Sequence, residues 1–361
     1  MKIGIVSRTR CINYGANLQA LALQETLKSL GFDAEYIDYN VVVPVKGPKK
    51  ILSFGYDIVK RFLGYSKREQ RTKDFWQHIN FSDSVSDKSG LDRISEQYQL
   101  LLCGSDQIWN PRYFKTSNGL YLLDFGKENT KRASYASSFG IKKLPEWYSP
   151  IVTASLSRFE TLSCRENEGI NILDSLNLVA NRHIDPTFLL TKEDWQKYYD
   201  NEPLIKGKYI CCYVMPGATE LNNYILRIAD KMAKKAGEDC KVVVLGEKEY
   251  KGWLSNRKYM RTAGPSEFLN VVDHADYILT SSFHGTCFAT IFRKQFNSVL
   301  DKRNPFNSRI EDLLRNLGLE KRIMYMDANC MSIDESVIDY GEAGNLIQRE
   351  IESAKKYLSE L

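Results

Sequence analysis

A histidine stands at a strand-to-helix junction late in the sequence. The apolar run Tyr277–Thr280 leads into the turn Ser281–Gly285, which contains His284 and precedes a helix-like stretch. Parallel α/β sheets bind ligands at the carboxyl ends of their strands, and the free amides of a helix N-terminus attract anions. With four histidines in 361 residues, His284 is the first candidate for chemistry, and Ser282 and Gly285 are candidate substrate contacts. The alternative is a histidine whose hydrogen bonds are satisfied inside the fold.

A second polar turn, Gly104–Pro111, also follows an apolar run. Asp106 offers a carboxylate and Trp109 an aromatic face on which a sugar could stack, while Ser105 and Gln107 are further candidate ligands. The alternative is structural: Asp106 caps the next turn, and Trp109 fills the core.

A third polar turn follows the first predicted strand, near the N-terminus. Its amides and side chains could hold a phosphate or a sugar hydroxyl. The candidate contacts are Asn13, Gly15, Asn17 and Gln19. Helix capping by asparagine is the simpler alternative, because one glycine is weak evidence beside a full Gly-x-Gly-x-x-Gly pattern.

Two arginines are candidate anion ligands. Arg165 follows the short apolar strand that ends at Cys164, and its planar guanidinium suits a carboxylate or a phosphate. Glu166 could neutralise it in an ordinary ion pair. Arg309 lies just inside a predicted helix start and is either a further anion contact or a surface charge.

Familiar catalytic patterns are missing from the sequence. There is no Gly-x-Ser-x-Gly elbow, no phosphate-loop lysine and no dinucleotide fingerprint, and the four histidines lack metal-ligand spacing. We therefore predict no metal and no cofactor. Group transfer remains, with an anion bound by arginine and helix amides.

The composition is that of an ordinary globular protein. Fifty Lys and Arg against 45 Asp and Glu give a net charge of +5, which is too small to predict nucleic-acid binding but suits an anionic small substrate. The eight cysteines show no paired C-x-x-C spacing and several lie in apolar runs, as in reduced cytoplasmic proteins. We expect no signal peptide and no membrane span, hence a cytoplasmic protein.

Alternating strands and helices predict an α/β fold. Lys2–Ser7, a helix from Asn17 to Leu30 and Ala34–Asp38 form a βαβ unit, which implies a parallel sheet. Further strands are predicted at Gln99–Cys103, Tyr121–Phe125, Ala133–Ser137, Leu162–Cys164 and His183–Ile184. The polar stretch Lys192–Lys208 then interrupts the pattern before it restarts. We predict two Rossmann-like domains, 1–195 and 205–330, with a cleft between them and a final helix over 336–361.

A basic segment interrupts the first predicted domain at about 44–80. Residues 44–73 contain nine basic and two acidic side chains, with apolar residues at helical spacing. Such a helix could contact an anionic membrane surface peripherally, at the inner face of the membrane. We favour the alternative of a helical insertion that packs on its own domain.

Several short motifs together resemble the polysaccharide pyruvyl transferase family. They occur in the same order over residues 1 to about 320. The motifs are N-Y-G-x-x-L-Q (Asn13–Gln19), G-S-D-Q-I-W-N-P (Gly104–Pro111), S-Y-A-x-S-F-G (Ser134–Gly140), R-E (Arg165-Glu166), D-P-T (Asp185–Thr187), S-F-H-G-T (Ser282–Thr286) and N-x-R (Asn307–Arg309).

The resemblance implies a two-domain fold like that of GT-B glycosyltransferases. It implies phosphoenolpyruvate as the donor and a product in which pyruvate bridges two hydroxyls of one sugar as a cyclic ketal. The acceptor would be a saccharide of capsule, exopolysaccharide or cell-wall synthesis, free or lipid-linked.

The candidate residues fit this chemistry. His284 would protonate the donor or the leaving phosphate, and Arg165, together with Arg309, would hold the donor's phosphate or carboxylate. Asp106 would act as a base or anchor the sugar. Two other functions stay open: a nucleotide-sugar glycosyltransferase of the same architecture, and a sugar- or phosphate-binding protein without turnover.

Overall fold

The computed structural model describes residues 1–40, 65–117, 119–246, 257–304, 306–327 and 333–361. The described chain divides into two compact units. The first holds the residues up to 40, Trp76–Leu189 and Gln348–Leu361, and the second holds 65–75 and Leu190–Ile347.

The first unit is built on short parallel strands and the helices between them. Its strands are β1 (Lys2–Val6), β2 (Asp33–Tyr36), β3 (Leu100–Cys103), β4 (Lys131–Ser134), β5 (Ser163–Cys164) and β6 (Asn181–Arg182). Its helices are α1 (Tyr14–Ser29), α3 (Lys88–Ser95), α4 (Pro111–Ser117), α5 (Ser149–Leu156) and α6 (Asn167–Ser175). Helix α2 (Tyr65–Phe75), which precedes α3 in the chain, belongs to the second unit.

The second unit repeats the alternation with longer strands. Its strands are β7 (Tyr209–Tyr213), β8 (Lys241–Leu245), β9 (Arg257–Tyr259), β10 (Tyr277–Thr280), β11 (Gln295–Leu300) and β12 (Ile323–Tyr325). Its helices are α7 (Lys192–Trp195), α8 (Thr219–Ala236), α9 (Pro265–Asp273), α10 (Phe283–Ile291) and α11 (Ser308–Asn316). The last helix, α12 (Tyr340–Ser359), begins in the second unit and ends in the first.

The sheet of the second unit has the strand order β9-β8-β7-β10-β11-β12, with all five pairings parallel. Counted in chain order this is 3-2-1-4-5-6, the order of Rossmann folds. The order reverses between β7 and β10, where Cys212 pairs with Leu279 and Tyr213 with Thr280. The predicted parallel α/β architecture is therefore confirmed.

The first unit follows the same order. Its four-stranded parallel sheet runs β2-β1-β3-β4, and β5 pairs with β6. Isolated parallel bridges extend it on both sides: Tyr36 pairs with Phe81 beyond β2, and Ser137 pairs with Cys164 of β5. If the segment at Phe81 is counted as the third strand, the order is 3-2-1-4-5-6-7, which is the Rossmann order with β6 added at the end, and its reversal lies between β1 and β3.

Burial explains why these segments form strands and helices. All four residues of β3 and all five of β7 are buried, as expected for parallel strands covered by helices on both faces. Helix α1 is buried over most of its length, and the side chain of Asn13 caps its N-terminus by accepting from the amide of Ala16 at 3.1 Å.

Two predicted strands are wrong. His183–Ile184 lies just beyond β6, whose paired residues are Asn181 and Arg182. Tyr121–Phe125 overlaps a 3-10 turn, Leu120–Leu122, which is followed by Leu123 at a φ of +51°. The carbonyls of this segment accept hydrogen bonds from distant side chains: the Trp109 indole reaches Tyr121, and the Arg132 guanidinium reaches Leu123 and Phe125. These bonds replace the strand pairing that the apolar run predicted.

The predicted basic insertion lies partly outside the described residues, which exclude 41–64. The described remainder forms α2, which packs on the second unit and not, as we had favoured, on the first predicted domain. Arg71 pairs with Glu267 at 3.0 Å and donates to the Thr262 carbonyl at 2.9 Å. No helix among the described residues is long and apolar enough to cross a membrane.

Candidate functional site

The motif segments share one position in the fold. Each lies at or just beyond the carboxyl end of a parallel strand, on the edge where open α/β sheets bind ligands. In the first unit these are Asn13 after β1, Gly104 after β3, Ser134–Gly140 at the end of β4, Arg165 after β5 and Asp185 after β6. In the second unit they are Ser282 after β10 and Asn307 after β11.

His284 is the second residue of α10, directly after the strand that adjoins the reversal of strand order. Its side chain is largely buried, with 8% exposed. The Ser282 side chain caps the helix by accepting from the Gly285 amide at 3.4 Å. The imidazole therefore lies beside the positive end of the helix dipole.

The turn before His284 is held rigidly. The Thr280 hydroxyl donates to the Tyr213 carbonyl at 2.8 Å and accepts from the Ser282 amide at 3.0 Å, which fixes the end of β10 to β7. A Cβ at Gly285 would lie 2.3 Å from the Thr280 Oγ1 and 2.9 Å from the Tyr213 ring. The hydroxyls of Thr286 and Ser298 also bond, at 2.7 Å. This site therefore requires glycine next to the histidine.

Phe283 is close to two of the predicted site residues. Its ring meets the His284 ring edge-on at 5.3 Å between centroids, and the Arg309 guanidinium lies 5.7 Å from its centroid. Arg309 is the second residue of α11 and is partly exposed. The structure thus brings the predicted His284 and Arg309 to the same edge of the second sheet.

In the first unit, the reversal point lies between the ends of β1 and β3. The Ser7 hydroxyl donates to the Ser105 carbonyl at 2.7 Å, and a Cβ at Gly104 would lie 3.1 Å from that of Ser7. Asp106 adopts a φ of +79°, and its carboxylate accepts from the Gln107 amide at 2.8 Å. Positive φ at a non-glycine residue is costly and is concentrated at functional sites.

Arg165 is held in a buried ion pair with Asp185, and this partner was not predicted. Its Nη1 lies 2.6 Å from Asp185 Oδ2, and Ser105 donates to the same oxygen at 3.2 Å. Thr187 supplies its amide and its hydroxyl to the other oxygen, at 3.0 and 2.8 Å. Burial would lower the pKa of Arg165, but the attraction of Asp185 and Glu166 raises it above its ordinary value.

Glu166, which the sequence suggested as the partner of Arg165, forms most of its hydrogen bonds with the segment that follows β4. Its Oε1 accepts from the Ser138 hydroxyl at 2.7 Å and from the amides of Phe139 and Gly140 at 3.2 and 3.4 Å. Its other oxygen lies 3.8 Å from Arg165 Nε. The two acids therefore join the ends of β3, β4, β5 and β6 in one buried polar network.

Three predicted contacts lie in the interior. Asn17 donates to the carbonyls of Cys11 and Asn13 at 2.8 and 2.7 Å, and Gln19 donates to Ala16 at 2.9 Å. Trp109 is fully buried and packs on Phe139 at 5.2 Å. These contacts favour structural roles, which were the alternatives considered for each. Gly15 is also buried within α1, whereas Asn13 and Gln107 are partly exposed.

Two residues at this edge, Arg8 and Tyr113, were not among the predicted site residues. Arg8, two residues after β1, donates to the Tyr113 hydroxyl at 2.9 Å. Burial opposes its charge, but nearby Asp106 helps to raise its pKa above the ordinary value. Arg8 follows an apolar strand just as Arg165 does, so the same pattern could have identified it. Among the described residues, no cluster of His, Cys, Asp and Glu could hold a metal ion.

Solved structures share the fold over almost the entire chain. A putative UDP-N-acetylglucosamine 2-epimerase from Listeria monocytogenes matches 99% of this chain and 90% of its own, with 10% identity and a TM-score of 0.55. The UDP-GlcNAc 2-epimerase from Neisseria meningitidis, bound to UDP-GlcNAc, matches 99% and 94%, with 11% identity and a TM-score of 0.56. The fold is therefore that of GT-B proteins, as predicted.

The sequence identifies the family within that fold. The model of the polysaccharide pyruvyl transferase family matches residues 13–300, a span that contains the predicted catalytic residues. The chain belongs to this family and is a transferase. No curated protein matches it in sequence.

Proposed function

We propose that the protein transfers pyruvate from phosphoenolpyruvate to two hydroxyls of one sugar, forming a cyclic ketal and releasing phosphate. One hydroxyl oxygen bonds to C2 of the donor as a proton is added to C3, which converts the methylene to a methyl group. The second hydroxyl oxygen bonds to C2 as the bond to the phosphate oxygen breaks. The two hydroxyl protons end on the methyl carbon and on the phosphate, so atoms and charge balance.

The position of His284 carries this proposal. It lies beside the N-terminus of α10, whose amides favour the donor's anionic groups. An imidazole there can donate a proton to the methylene carbon or to the departing phosphate. Arg309, whose guanidinium lies 5.7 Å from the Phe283 ring centroid, supplies a cation for the phosphate or the carboxylate.

The candidate residues of the first unit have different proposed roles. Asp106 is the candidate base or sugar anchor, and its strained backbone supports a functional role. Arg165 was predicted to bind the donor, and its buried pair with Asp185 supports a positioning role instead. It would hold the strand ends that carry Ser105 and Asp106.

The acceptor is proposed to be a saccharide of polysaccharide synthesis, free or attached to a lipid carrier. A lipid-linked acceptor would bring the protein to the cytoplasmic face of the membrane.

The experiment measures donor binding and turnover separately. Calorimetric titration with phosphoenolpyruvate is compared for the wild type, His284→Asn, Arg309→Gln and the control His274→Asn. His274 is a suitable control because it lies at the C-terminal end of α9, bonded to the Asn270 carbonyl. We expect Arg309→Gln to weaken binding by about tenfold, the loss of one charge-assisted bond.

Turnover is measured as phosphate release with a panel of saccharides, and mass spectrometry detects the ketal. His284→Asn should lower the rate by about 100-fold or more, as for loss of a general acid, while His274→Asn stays active. Nucleotide release from UDP-GlcNAc, with none of the panel pyruvylated, would contradict the proposal.

A further inference from the structure

We infer that the first unit contains a second anion site, formed by Arg8, Arg112 and Tyr113, which binds a phosphate or diphosphate carried by the saccharide acceptor. The assignment of the anion to the acceptor rests on the proposed function. The anion site itself stands on the geometry of the three residues.

Two guanidinium groups converge on one phenol oxygen. Arg8 Nη1 donates to the Tyr113 hydroxyl at 2.9 Å, and Arg112 Nη2 donates to the same oxygen. The guanidinium carbons lie 4.9 and 4.5 Å from the centroid of the Tyr113 ring. A neutral oxygen that accepts from two cations leaves most of their donors, five N–H groups on each arginine, directed elsewhere.

The charge of this cluster is not balanced locally. Several other arginines of the described chain are paired with carboxylates, for example Arg10 with Asp38 at 2.9 Å and Arg158 with Asp124 at 3.2 Å. Within the same described residues, neither Arg8 nor Arg112 forms such a pair. Asp106 interacts with Arg8 at longer range, so two positive charges meet one negative charge. An anion between the guanidiniums would remove their mutual repulsion.

The cluster is placed for a substrate. Arg8 follows β1, and Arg112 and Tyr113 lie in α4, which begins a few residues after Asp106. Both segments therefore leave the ligand-binding edge of the first sheet at its reversal point. Arg8 and Tyr113 are partly exposed, and Arg112 is exposed, so a ligand can reach the donors.

The two guanidinium groups indicate which kind of ligand the site binds. Two planar guanidiniums match oxyanions that offer several oxygens, and phosphate is bound by arginine in this way. The proposed donor site lies in the other unit, with His284 and Arg309. The phosphate in the first unit would therefore be that of the acceptor, as in a sugar linked through diphosphate to a nucleotide or to a lipid.

Binding tests the site without any need for turnover. The full-length protein is titrated with inorganic diphosphate, UDP and farnesyl diphosphate, and the variants are Arg112→Gln and Arg8→Gln. We expect each variant to weaken the binding of inorganic diphosphate by about tenfold or more. Arg158→Gln, an equal loss of charge in the same unit, should leave it unchanged. Equal affinities in all four proteins would overturn the inference.

Kinetics then identify which substrate uses the site. Arg112→Gln should raise KM for a diphosphate-linked acceptor by about tenfold and leave KM for phosphoenolpyruvate and for a free saccharide unchanged. The phosphate comes from a nucleotide if the KM of a nucleotide-linked sugar depends on Arg112, and from a lipid carrier if the KM of a lipid-linked sugar does. A rise in KM for phosphoenolpyruvate alone would overturn the assignment to the acceptor. Diphosphate binding that depends on Arg112, without any pyruvyl transfer, would contradict the proposed function and preserve the anion site.

Arg112→Gln is the decisive variant because this exposed side chain can be changed without loss of folding. Arg8→Gln removes a half-buried group and is accepted only if its unfolding midpoint matches that of the wild type. Tyr113→Phe gives a further readout. It keeps the ring beneath both guanidiniums but removes the oxygen that aligns them, so diphosphate binding should weaken less than in Arg112→Gln.

Discussion

Arg165 and Asp185 form a buried ion pair across neighbouring strand ends, with 2.6 Å between Nη1 and Oδ2 and both side chains almost fully enclosed. The residues are twenty positions apart in the sequence, and the parallel pairing of β5 with β6 brings them together. Because Ser105 and Thr187 bond to the same carboxylate, the pair orders the strand ends on which the candidate site is built.

Breaking this pair should destabilise the protein strongly. Asp185→Ala leaves a guanidinium buried without its partner, which costs about 3–5 kcal/mol. The measurement is urea unfolding followed by tryptophan fluorescence. Asp124→Ala, which removes an exposed pair with Arg158, should cost less than about 1 kcal/mol. If Arg165→Gln unfolded like the wild type yet abolished donor binding, Arg165 would be a direct ligand.

Gly285 should tolerate no side chain. In Gly285→Ala the added Cβ would meet the Thr280 hydroxyl at 2.3 Å, so the start of α10 must move, and His284 with it. We expect phosphate release to fall by at least about tenfold, since an ångström of misplacement can cost more than that. The control is Gly344→Ala in α12, where the nearest atom lies 3.9 Å away. This control should keep full activity and gain about 0.5–1 kcal/mol of stability.

His183 should make the stability of the first unit depend on pH. Burial, assisted by the charge of Arg182, lowers its pKa from 6.5 to about 4. The neutral imidazole bonds to the Ser163 hydroxyl at 2.8 Å and packs on the Tyr357 ring. Below pH 6.5 the unfolded chain takes up a proton that the folded chain takes up only near pH 4.

Stability is therefore fully present above pH 6.5 and falls towards pH 4, by at most about 3 kcal/mol from this residue. The measurement is the free energy of unfolding at pH 7 and pH 4.5 for the wild type and His183→Gln. The variant should be less stable at pH 7 and lose less on acidification. Equal losses in both proteins would show that His183 is not the group responsible.

The basic segment 44–73 provides a test of membrane contact. Its described part is packed on the second unit through Arg71 and Glu267, so we expect little sedimentation with anionic vesicles and no change when other charges in the segment are removed. The test changes to glutamine are at Lys49, Lys50, Lys60 and Arg61. The control changes, equal in charge, are at Lys127, Lys131, Lys231 and Lys234. Peripheral binding would be established if the wild type sedimented with the vesicles, the test changes abolished this sedimentation and the control changes did not.

Local patterns predicted most of the fold. The βαβ start, β3 and β10 were identified from apolar runs bounded by turn residues, because buried parallel strands leave that pattern. Tyr121–Phe125 has the same composition but is not a strand, since the side chains of Trp109 and Arg132 occupy its carbonyls. Those donors come from elsewhere in the chain, so no local pattern reports them.

The site was only partly predictable for a similar reason. The positions of His284, Asp106 and Arg165 at strand ends follow from the sequence. The partner of Arg165 does not, because Glu166 is adjacent in sequence whereas Asp185 is adjacent only through the sheet. Asn17, Gln19 and Trp109 were proposed as contacts because polar and aromatic residues in turns have two uses: they either bind a ligand or stabilise the fold. Their burial, which only tertiary packing decides, favours the structural one.

The concentration of motifs on one edge of each sheet leaves the other edge free for engineering. The turns that precede β7 and β8 contain Gly207 and Gly237, both at positive φ, and their neighbours Lys206 and Glu238 are exposed. A fluorophore or a surface tether attached at either position would sit where strands begin. A protein immobilised in this way would keep the proposed ligand-binding edge of its second sheet turned towards the solution.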